Sequence, residues 1–191
     1  VWISGLAQAL GHVDQAMRLN ATSLSTDPLS PDAWSNQADL LGRMGDIERA
    51  ELAYRKCLEI SPSWTEMHLY VGQMLLLRGR LEAALTESQL ATPYDGRDIN
   101  LAMIYYALGR KSASDMALAR LARESGDLWP QSIAQVYAYR GEADQAFEWF
   151  EKAYAARKVG LLPLLRDDPT VARLRTDPRR KALLRKMGVS E

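Results

Sequence analysis

The chain has 191 residues, of which 24 are Lys or Arg and 24 are Asp or Glu, so its formal net charge at pH 7 is zero. This balance excludes the strong overall field that draws a protein to nucleic acid or to an acidic membrane. The single cysteine, Cys57, excludes a disulfide framework and a multi-cysteine metal site, and it favours a reducing, cytoplasmic setting.

The first ten residues, VWISGLAQAL, carry neither the charged region nor the cleavage signal of a secretory peptide. The longest apolar stretch, around residues 69–77, is far shorter than the roughly 20 residues that span a bilayer. The chain also opens without Met and in the middle of a repeat. We therefore expect it to be part of a longer protein.

Five glycines recur along the chain at nearly equal intervals. Gly11, Gly45, Gly79, Gly109 and Gly141 are separated by 34, 34, 30 and 32 residues, and similar residues surround each of them. A period near 34 indicates an array of helical hairpins. Helix breakers are sparse, with 12 Gly and 8 Pro, so the sequence predicts an all-α fold.

The second unit shows the repeat most clearly, because its apolar residues recur every three or four positions and predict two amphipathic helices. Gly45 and Asp46 end the first helix, and Ser61 and Pro62 end the second. The apolar positions are Trp34, Ala38 and Leu41 in the first helix and Ala50, Tyr54, Cys57 and Leu58 in the second.

This pattern resembles the tetratricopeptide repeat, a helical hairpin of about 34 residues. The places of its signature are held here by Trp34, Ala38, Leu41, Gly45, Ala50, Tyr54, Cys57 and Pro62. The later units keep the same order of residues, whereas the first is entered late. The resemblance implies a right-handed α-solenoid of about five hairpins. Small residues let the helices cross closely and larger ones fill the space between hairpins: Ala50, Ala84 and Ala146, and Tyr54, Leu118 and Phe150.

We expect the array to occupy residues 1–158 and capping helices to occupy 159–191. The two shortened intervals are expected to remove residues from the loops at 92–98 and 125–130, which are rich in turn residues. The predicted repeat units are about 1–30, 31–64, 65–94, 95–126 and 127–158.

The C-terminal segment is predicted to fold as a cap. Asp168-Pro169 and Asp177-Pro178 each predict the start of a short helix, because Asp caps a helix whose first residue is Pro. Leu183, Leu184 and Met187 would then cover the end of the stack, as a solenoid requires. From Arg157 onward the chain has ten basic and four acidic residues. We expect this basic tail to pack against the acidic remainder.

No residues form a recognisable catalytic, metal or cofactor site. His12 and His68 lack partners at metal-ligand spacing, and we interpret both as structural. Cys57 occupies a core position and should be an inert, buried thiol. A basic cluster near the C-terminus allows phosphate contacts with nucleic acid or lipid as an alternative to a solvated cap face. Its members are Arg179, Arg180, Lys181, Arg185 and Lys186.

In tetratricopeptide arrays the first helix of each hairpin lines a groove that binds partners. The resemblance places these groove residues at Asn36, Asp39, Arg43, Leu69, Tyr70, Gln73, Asn100, Met103, Tyr106, Gln135 and Tyr139, with Glu66, Leu77 and Gln131 beside them. Because only Arg43 among them is basic, we expect no cationic clamp for a terminal carboxylate. A groove filled by neighbouring parts of the same polypeptide is the alternative that the sequence leaves open.

The leading hypothesis is therefore a non-catalytic protein–protein interaction module that binds a peptide or a partner domain. Residues 137–158 and 177–189 also resemble the closing repeats and tail of large bacterial signalling proteins with class III adenylate cyclase, winged-helix or kinase domains. That resemblance makes a regulatory or sensory segment the alternative. Self-association is expected through the apolar face of Trp2, Ile3, Leu6 and Leu10.

Overall fold

The computed structural model describes residues 13–92 and 95–189, and every regular element in these ranges is a helix. The contacts between residues divide the chain into two compact units, Val1–Thr92 (unit 1) and Pro93–Glu191 (unit 2). None of the helices in the described ranges is both long and apolar enough to cross a membrane. Several residues discussed above lie outside the described ranges, namely Gly11, His12 and the expected self-association face of Trp2, Ile3, Leu6 and Leu10.

In its described residues, 13–92, unit 1 contains one helix followed by two helical hairpins, in agreement with the all-α prediction. Its helices are α1 (Val13–Thr26), α2 (Pro31–Arg43), α3 (Ile47–Ile60), α4 (Met67–Leu77) and α5 (Leu81–Leu90). Gly45, between α2 and α3, has a φ of +83°, and Gly79, between α4 and α5, has a φ of +72°. Only glycine adopts this left-handed backbone at little cost, so the repeating glycines are turn residues, as predicted.

The second hairpin of unit 1 depends on a very close approach between α4 and α5. A Cβ atom built on Gly72 would lie 2.2 Å from the Ser88 hydroxyl oxygen and 3.1 Å from the Ala84 carbonyl oxygen. Ala50 and Ala84 are completely buried at the two hairpin crossings. The predicted small positions therefore allow the helices to pack closely.

Ion pairs connect α3, α4 and α5 in unit 1. The Arg55 guanidinium lies 3.0 Å from Glu51 and 2.7 Å from Glu87, and Arg78 lies 2.6 Å from the second oxygen of Glu51. His68 Nδ1 lies 2.8 Å from Glu87. His68 is therefore half-buried and paired rather than a plain core residue, because α5 brings a carboxylate to its ring.

Cys57 is buried, as the sequence predicts, and its thiol donates a hydrogen bond to the Pro31 carbonyl oxygen at 3.3 Å. Burial raises the pKa of the Cys57 thiol to about 12. Since the thiolate is the reactive form, this cysteine is inert at neutral pH.

Over residues 95–189, unit 2 contains two hairpins followed by three short helical segments. Its elements are α6 (Asp95–Ala107), α7 (Lys111–Ser125), α8 (Pro130–Arg140), α9 (Ala143–Ala155), α10 (Leu161–Asp167), a 3-10 helix (Pro169–Leu174) and α11 (Pro178–Lys186). Gly109 and Gly141 repeat the left-handed turn of unit 1. Residues 95–98, which were expected in a loop, belong to α6, whereas residues 126–129 connect α7 to α8 as expected.

Two helices of the C-terminal segment begin at the two Asp-Pro pairs, as predicted. Asp168 accepts a hydrogen bond from the Thr170 backbone N–H at 2.8 Å, and Asp177 accepts one from the Arg179 N–H at 2.9 Å. The segment after Asp168 is a 3-10 helix rather than an α-helix. The sequence pattern did not predict α10. Pro163 lies near its start and argues against a helix, even though proline is tolerated in the first turn.

The basic C-terminal segment packs against earlier helices of unit 2, as predicted. Arg179 lies 2.7 Å from Asp144, and Lys186 lies 2.6 Å from Glu151. Arg180 donates a hydrogen bond to the Leu165 carbonyl oxygen at 2.8 Å. Leu183 and Leu184, only 1% and 2% exposed, join the core built by α8 and α9. These contacts favour the folded cap over a nucleic-acid arm.

Candidate partner-binding surface

The first helices of the two hairpins in unit 1 present a set of half-exposed polar and aromatic side chains. We call this surface the α2/α4 face. Asn36, Asp39 and Arg43 come from α2, Tyr70 and Gln73 come from α4, and Glu66 precedes α4, so the face consists of Asn36, Asp39, Arg43, Glu66, Tyr70 and Gln73.

Tyr54, from α3, holds the two halves of this face together. Its hydroxyl donates a hydrogen bond to Asp39 Oδ1. Its ring stacks on the Tyr70 ring, with 5.1 Å between the centroids and 14° between the planes. The Tyr70 hydroxyl in turn donates a long hydrogen bond, 3.4 Å, to Glu66. The stacked pair therefore fixes the Tyr70 ring, which loses little further freedom when a partner binds.

The sequence pattern places Tyr54 in the core and does not predict this supporting role. Its apolar position in α3 predicts burial correctly, and the ring is nearly buried. The hydroxyl, however, extends to Asp39, a contact that depends on how α3 crosses α2. Only the spacing of a tyrosine on the second helix and a carboxylate on the first could have suggested it.

Burial dominates the electrostatics of the Asp39–Tyr54 pair. It raises the pKa of Asp39, and the Tyr54 hydrogen bond and the Arg43 charge offset only part of this effect. Burial, followed by the nearby Asp39 charge, also raises the pKa of Tyr54 well above its usual value. Tyr54 therefore stays protonated and remains the donor across the physiological pH range.

Three of the predicted groove residues are buried and present no surface to a partner. Leu69 is 7% exposed, Asn100 is 5% exposed and Met103 is completely buried. In unit 2 the reason is that α6 packs directly against α8. The positional frame implied by the resemblance therefore selects three side chains that expose little surface.

Tyr106 is the partly exposed residue of α6 in the predicted set, but it is engaged within unit 2. Its hydroxyl donates to the Arg140 carbonyl oxygen at 2.9 Å, and the Arg140 guanidinium lies 5.5 Å from the ring centroid. Its half-buried ring thus supports α8.

The two remaining predicted residues of unit 2, Gln135 and Tyr139, contact another segment of the same chain. Gln135 Nε2 donates to the Thr170 hydroxyl at 2.9 Å, and the Arg173 guanidinium lies 5.9 Å from the Tyr139 ring centroid. Thr170 and Arg173 belong to the 3-10 helix, which packs along α8. On α8, therefore, the alternative of a surface filled by the same polypeptide applies.

Arg140 carries a buried charge that the repeat pattern does not predict. Its guanidinium lies 2.7 Å from Asp115 and 2.6 Å from Glu142, and it donates to the Ser114 hydroxyl at 3.4 Å. Burial alone would lower the pKa of Arg140, but the hydrogen bonds that it donates to Asp115 and Glu142 outweigh burial and raise that pKa. These contacts satisfy the guanidinium and give it a structural role.

The described ranges contain no group of three or more His, Cys, Asp or Glu side chains that could hold a metal ion. Asp39 and Glu66 on the α2/α4 face are joined through the stacked tyrosines Tyr54 and Tyr70. The chemistry of this face is therefore hydrogen bonding and aromatic contact.

Comparisons with known proteins agree with this architecture. Residues 31–63, which contain α2 and α3, match the tetratricopeptide repeat family. Among solved structures, the fold is similar to that of a thermophilic tetratricopeptide repeat protein of Thermus thermophilus, with a TM-score of 0.66. That pair has 19% sequence identity over 91% of this chain and 96% of the other.

The fold is also similar to that of PilW, a type IV pilus biogenesis factor, with a TM-score of 0.64 and 18% identity over 100% of this chain and 93% of PilW. For YrrB, described as a tetratricopeptide repeat protein with an unusual peptide-binding site, the TM-score is 0.50 and the identity is 15% over 89% and 98% of the two chains. No curated protein matches the sequence significantly. The repeat match and these likenesses support a tetratricopeptide repeat fold.

Proposed function

We propose that this chain is a non-catalytic interaction module that binds a peptide segment of a protein partner on the α2/α4 face. The observation that carries the proposal is the fixed stack of Tyr54 on Tyr70, tied through the Tyr54 hydroxyl to Asp39. A rigid tyrosine beside polar groups is typical of protein-binding surfaces, because it offers a large contact area at a low entropy cost.

The side chains of the α2/α4 face define the chemistry of the partner. The half-exposed amides of Asn36 and Gln73 can each donate and accept, which suits the N–H and C=O groups of a peptide backbone. Asp39 and Glu66 outnumber the single cation, Arg43, whose charge already acts on Asp39. A neutral or basic peptide therefore fits this face better than an acidic one.

Two kinds of comparison support an interaction role. The tetratricopeptide repeat match includes Asp39 and Tyr54. YrrB, which has a similar fold, is described as having a peptide-binding site. The alternative of a regulatory segment of a bacterial cyclase, transcriptional regulator or kinase stays a prediction, as do the cytoplasmic location and a role in signalling.

The proposal can be tested with peptides selected against the folded protein from a displayed random library. The affinity of the best peptide would be measured by calorimetry for the wild type and for Tyr70→Ala and Gln73→Ala. Each substitution is expected to weaken binding about tenfold or more, since each removes a central contact. The matched control is Gln89→Ala, an exposed amide of α5 outside this face.

Circular dichroism would first establish that all variants keep the wild-type helix content. Equal loss of affinity in the Gln89→Ala control would show that the effect does not come from the α2/α4 face. Unchanged affinity in both face variants would contradict the proposed binding surface.

A further inference from the structure

Unit 1 contains a pocket of about 560 Å³ that the proposed function does not use. Its walls include Leu24 of α1, Trp34 and Leu41 of α2, and Leu52 of α3. This volume lies within the range of roughly 300 to 1,000 Å³ that ligand pockets in proteins occupy. Leu52, which lines the pocket, is 61% exposed, so a large apolar side chain there is accessible to solvent.

The pocket and the α2/α4 face lie on opposite sides of α2. Trp34 and Leu41 line the pocket, whereas Asn36 and Arg43 each follow them by two residues. With 3.6 residues per turn, a shift of two residues rotates a side chain by about 200° around the helix. A ligand in this pocket would therefore not compete with a peptide on the α2/α4 face.

Both charged residues that line the pocket, Arg49 and Lys56, are cationic. Unit 1 as a whole has 11 Asp or Glu and 7 Lys or Arg, a net charge of −4, so this sign runs against that of the surrounding unit. Arg49 pairs with Asp46 at 3.2 Å, and Lys56 pairs with Glu59 at 2.7 Å. Both pairs are exposed, the first at the N-cap of α3 and the second within α3. Such pairs are worth about 1 kcal/mol or less, so a partner's carboxylates can compete with them.

The spacing of the two cations suits a helix. Arg49 and Lys56 are seven residues apart on α3, which is two turns or roughly 10 Å along the axis. Leu52 lies between them at the mouth of the pocket. A helix with carboxylates seven residues apart and a bulky apolar residue between them matches this row of charges.

Unit 2 contains an internal example of the same match. On α11, Arg179 and Lys186 are also seven residues apart, and they pair with Asp144 and Glu151, which are seven residues apart on α9. The Arg179 guanidinium lies 4.5 Å from the ring centroid of Phe147, between the two acids. The fold thus already packs an acidic helix of this pattern against a basic one.

We propose that the pocket of unit 1 docks an amphipathic helix of a partner protein. Two carboxylates of that helix, seven residues apart, pair with Arg49 and Lys56, and a large apolar side chain between them enters the pocket beside Trp34 and Leu52. This interface is independent of the proposed peptide site, because the two lie on opposite sides of α2.

The test uses a fluorescein-labelled peptide with the required pattern, EADQAFEWFEKAYA, which is the sequence of residues 142–155. Fluorescence anisotropy would measure its binding to the wild type and to the double variant Arg49→Glu/Lys56→Glu. Reversing both charges should weaken binding about tenfold or more. A second variant, Leu52→Ser, should also weaken binding while leaving the fold intact, because Leu52 is largely exposed.

Two controls make the result specific. Arg80→Glu changes an exposed cation of unit 1 away from the pocket and should leave the affinity unchanged. A peptide with Lys in place of both acids, the equivalents of Asp144 and Glu151, should bind the double charge variant better than it binds the wild type. This rescue would support a direct pairing of charges.

Other outcomes would overturn the proposal. No saturable binding of the peptide, or equal affinity in the double charge variant, would exclude the docked helix. Displacement of the peptide by dodecanoate but not by excess unlabelled peptide would assign the pocket to a small amphiphile. Concentration-dependent self-association that the double charge variant abolishes would assign it to a second copy of the chain.

Discussion

The first helices of the hairpins carry similar residues in the two units, yet their surroundings differ. In unit 1, Tyr70 and Gln73 of α4 remain half-exposed on the α2/α4 face. In unit 2, Gln135 and Tyr139 of α8 contact Thr170 and Arg173 of the chain's own 3-10 helix. Tyr70 is thus held by Tyr54 and Glu66 of its own unit, whereas Gln135 and Tyr139 contact the chain's own 3-10 helix.

This difference shows what kind of contact such a face makes. On α8 the amide of Gln135 bonds to a hydroxyl and the ring of Tyr139 receives a guanidinium. The half-exposed amide of Gln73 and ring of Tyr70 in unit 1 can make the same two kinds of contact with a partner. A peptide with hydroxyl and basic side chains would therefore imitate the 3-10 helix of unit 2.

The largest expected effect comes from weakening the C-terminal cap of unit 2. Leu183→Ala deletes a buried side chain of α11 and should lower the free energy of unfolding by about 2 to 5 kcal/mol. Urea denaturation would measure this loss. Leu128→Ala, at an exposed leucine of the same unit, is the control and should change little. A small effect of Leu183→Ala would mean that the cap contributes little to unit 2.

Unit 1 should be weakened next most strongly by Gly72→Ala. The added Cβ would lie 2.2 Å from the Ser88 hydroxyl oxygen, which must move, and 3.1 Å from the Ala84 carbonyl oxygen, so the backbone of α5 must shift by a few tenths of an ångström. The expected loss is about 1 to 3 kcal/mol in thermal or urea unfolding. Gly42→Ala is the matched control, because its Cβ would meet nothing closer than 3.9 Å. Similar stability of the two variants would contradict the close crossing.

The contact that closes the α8 face can be removed by Thr170→Val. This change keeps the shape but deletes the acceptor of the Gln135 amide and the hydroxyl that donates to Asp168. We expect a loss of about 1 to 2 kcal/mol, because the freed partners are partly buried. Thr176→Val, at an exposed threonine nearby, should be neutral. An equal loss in both variants would remove the special role of Thr170.

The smallest effects are expected from two carboxylates of unit 1, and they have opposite signs. Burial alone would raise the pKa of Glu87, but the hydrogen bonds with His68 and Arg55 outweigh it and lower the pKa below 4.5. The stability that Glu87 contributes is therefore present at neutral pH and is lost as the pH falls through the folded pKa. Glu87→Gln should destabilise the protein at pH 7 and less so in acid.

Asp39 behaves in the opposite way, because burial raises its pKa above 3.8. Its ionisation opposes folding at neutral pH, and this cost disappears as the pH falls below that value. Asp39→Asn, which keeps an acceptor for the Tyr54 hydroxyl, should gain stability relative to the wild type at pH 7, and the gain should shrink in acid. Urea titrations at several pH values would measure both variants, and parallel pH profiles would contradict this assignment.

The sequence predicts the hairpins well because their causes are local. Turn glycines, the small residues Ala50 and Ala84 at the crossings, and the Asp-Pro caps of Asp168 and Asp177 all act within a few residues of their position. The cover over α8 was not predictable in this way. It depends on Thr170, 35 residues after Gln135 along the chain, and no periodic pattern joins them. The same holds for the Tyr54 hydroxyl that reaches Asp39.

The most direct test of the α2/α4 face as a peptide-binding surface is hydroxyl-radical footprinting of the wild type, with and without a library-selected peptide. Mass spectrometry would follow the oxidation of Tyr70 and Tyr139. If the peptide binds unit 1 as we propose, Tyr70 becomes protected while Tyr139, which belongs to unit 2, is unchanged. Protection of Tyr139 with no change at Tyr70 would contradict the account.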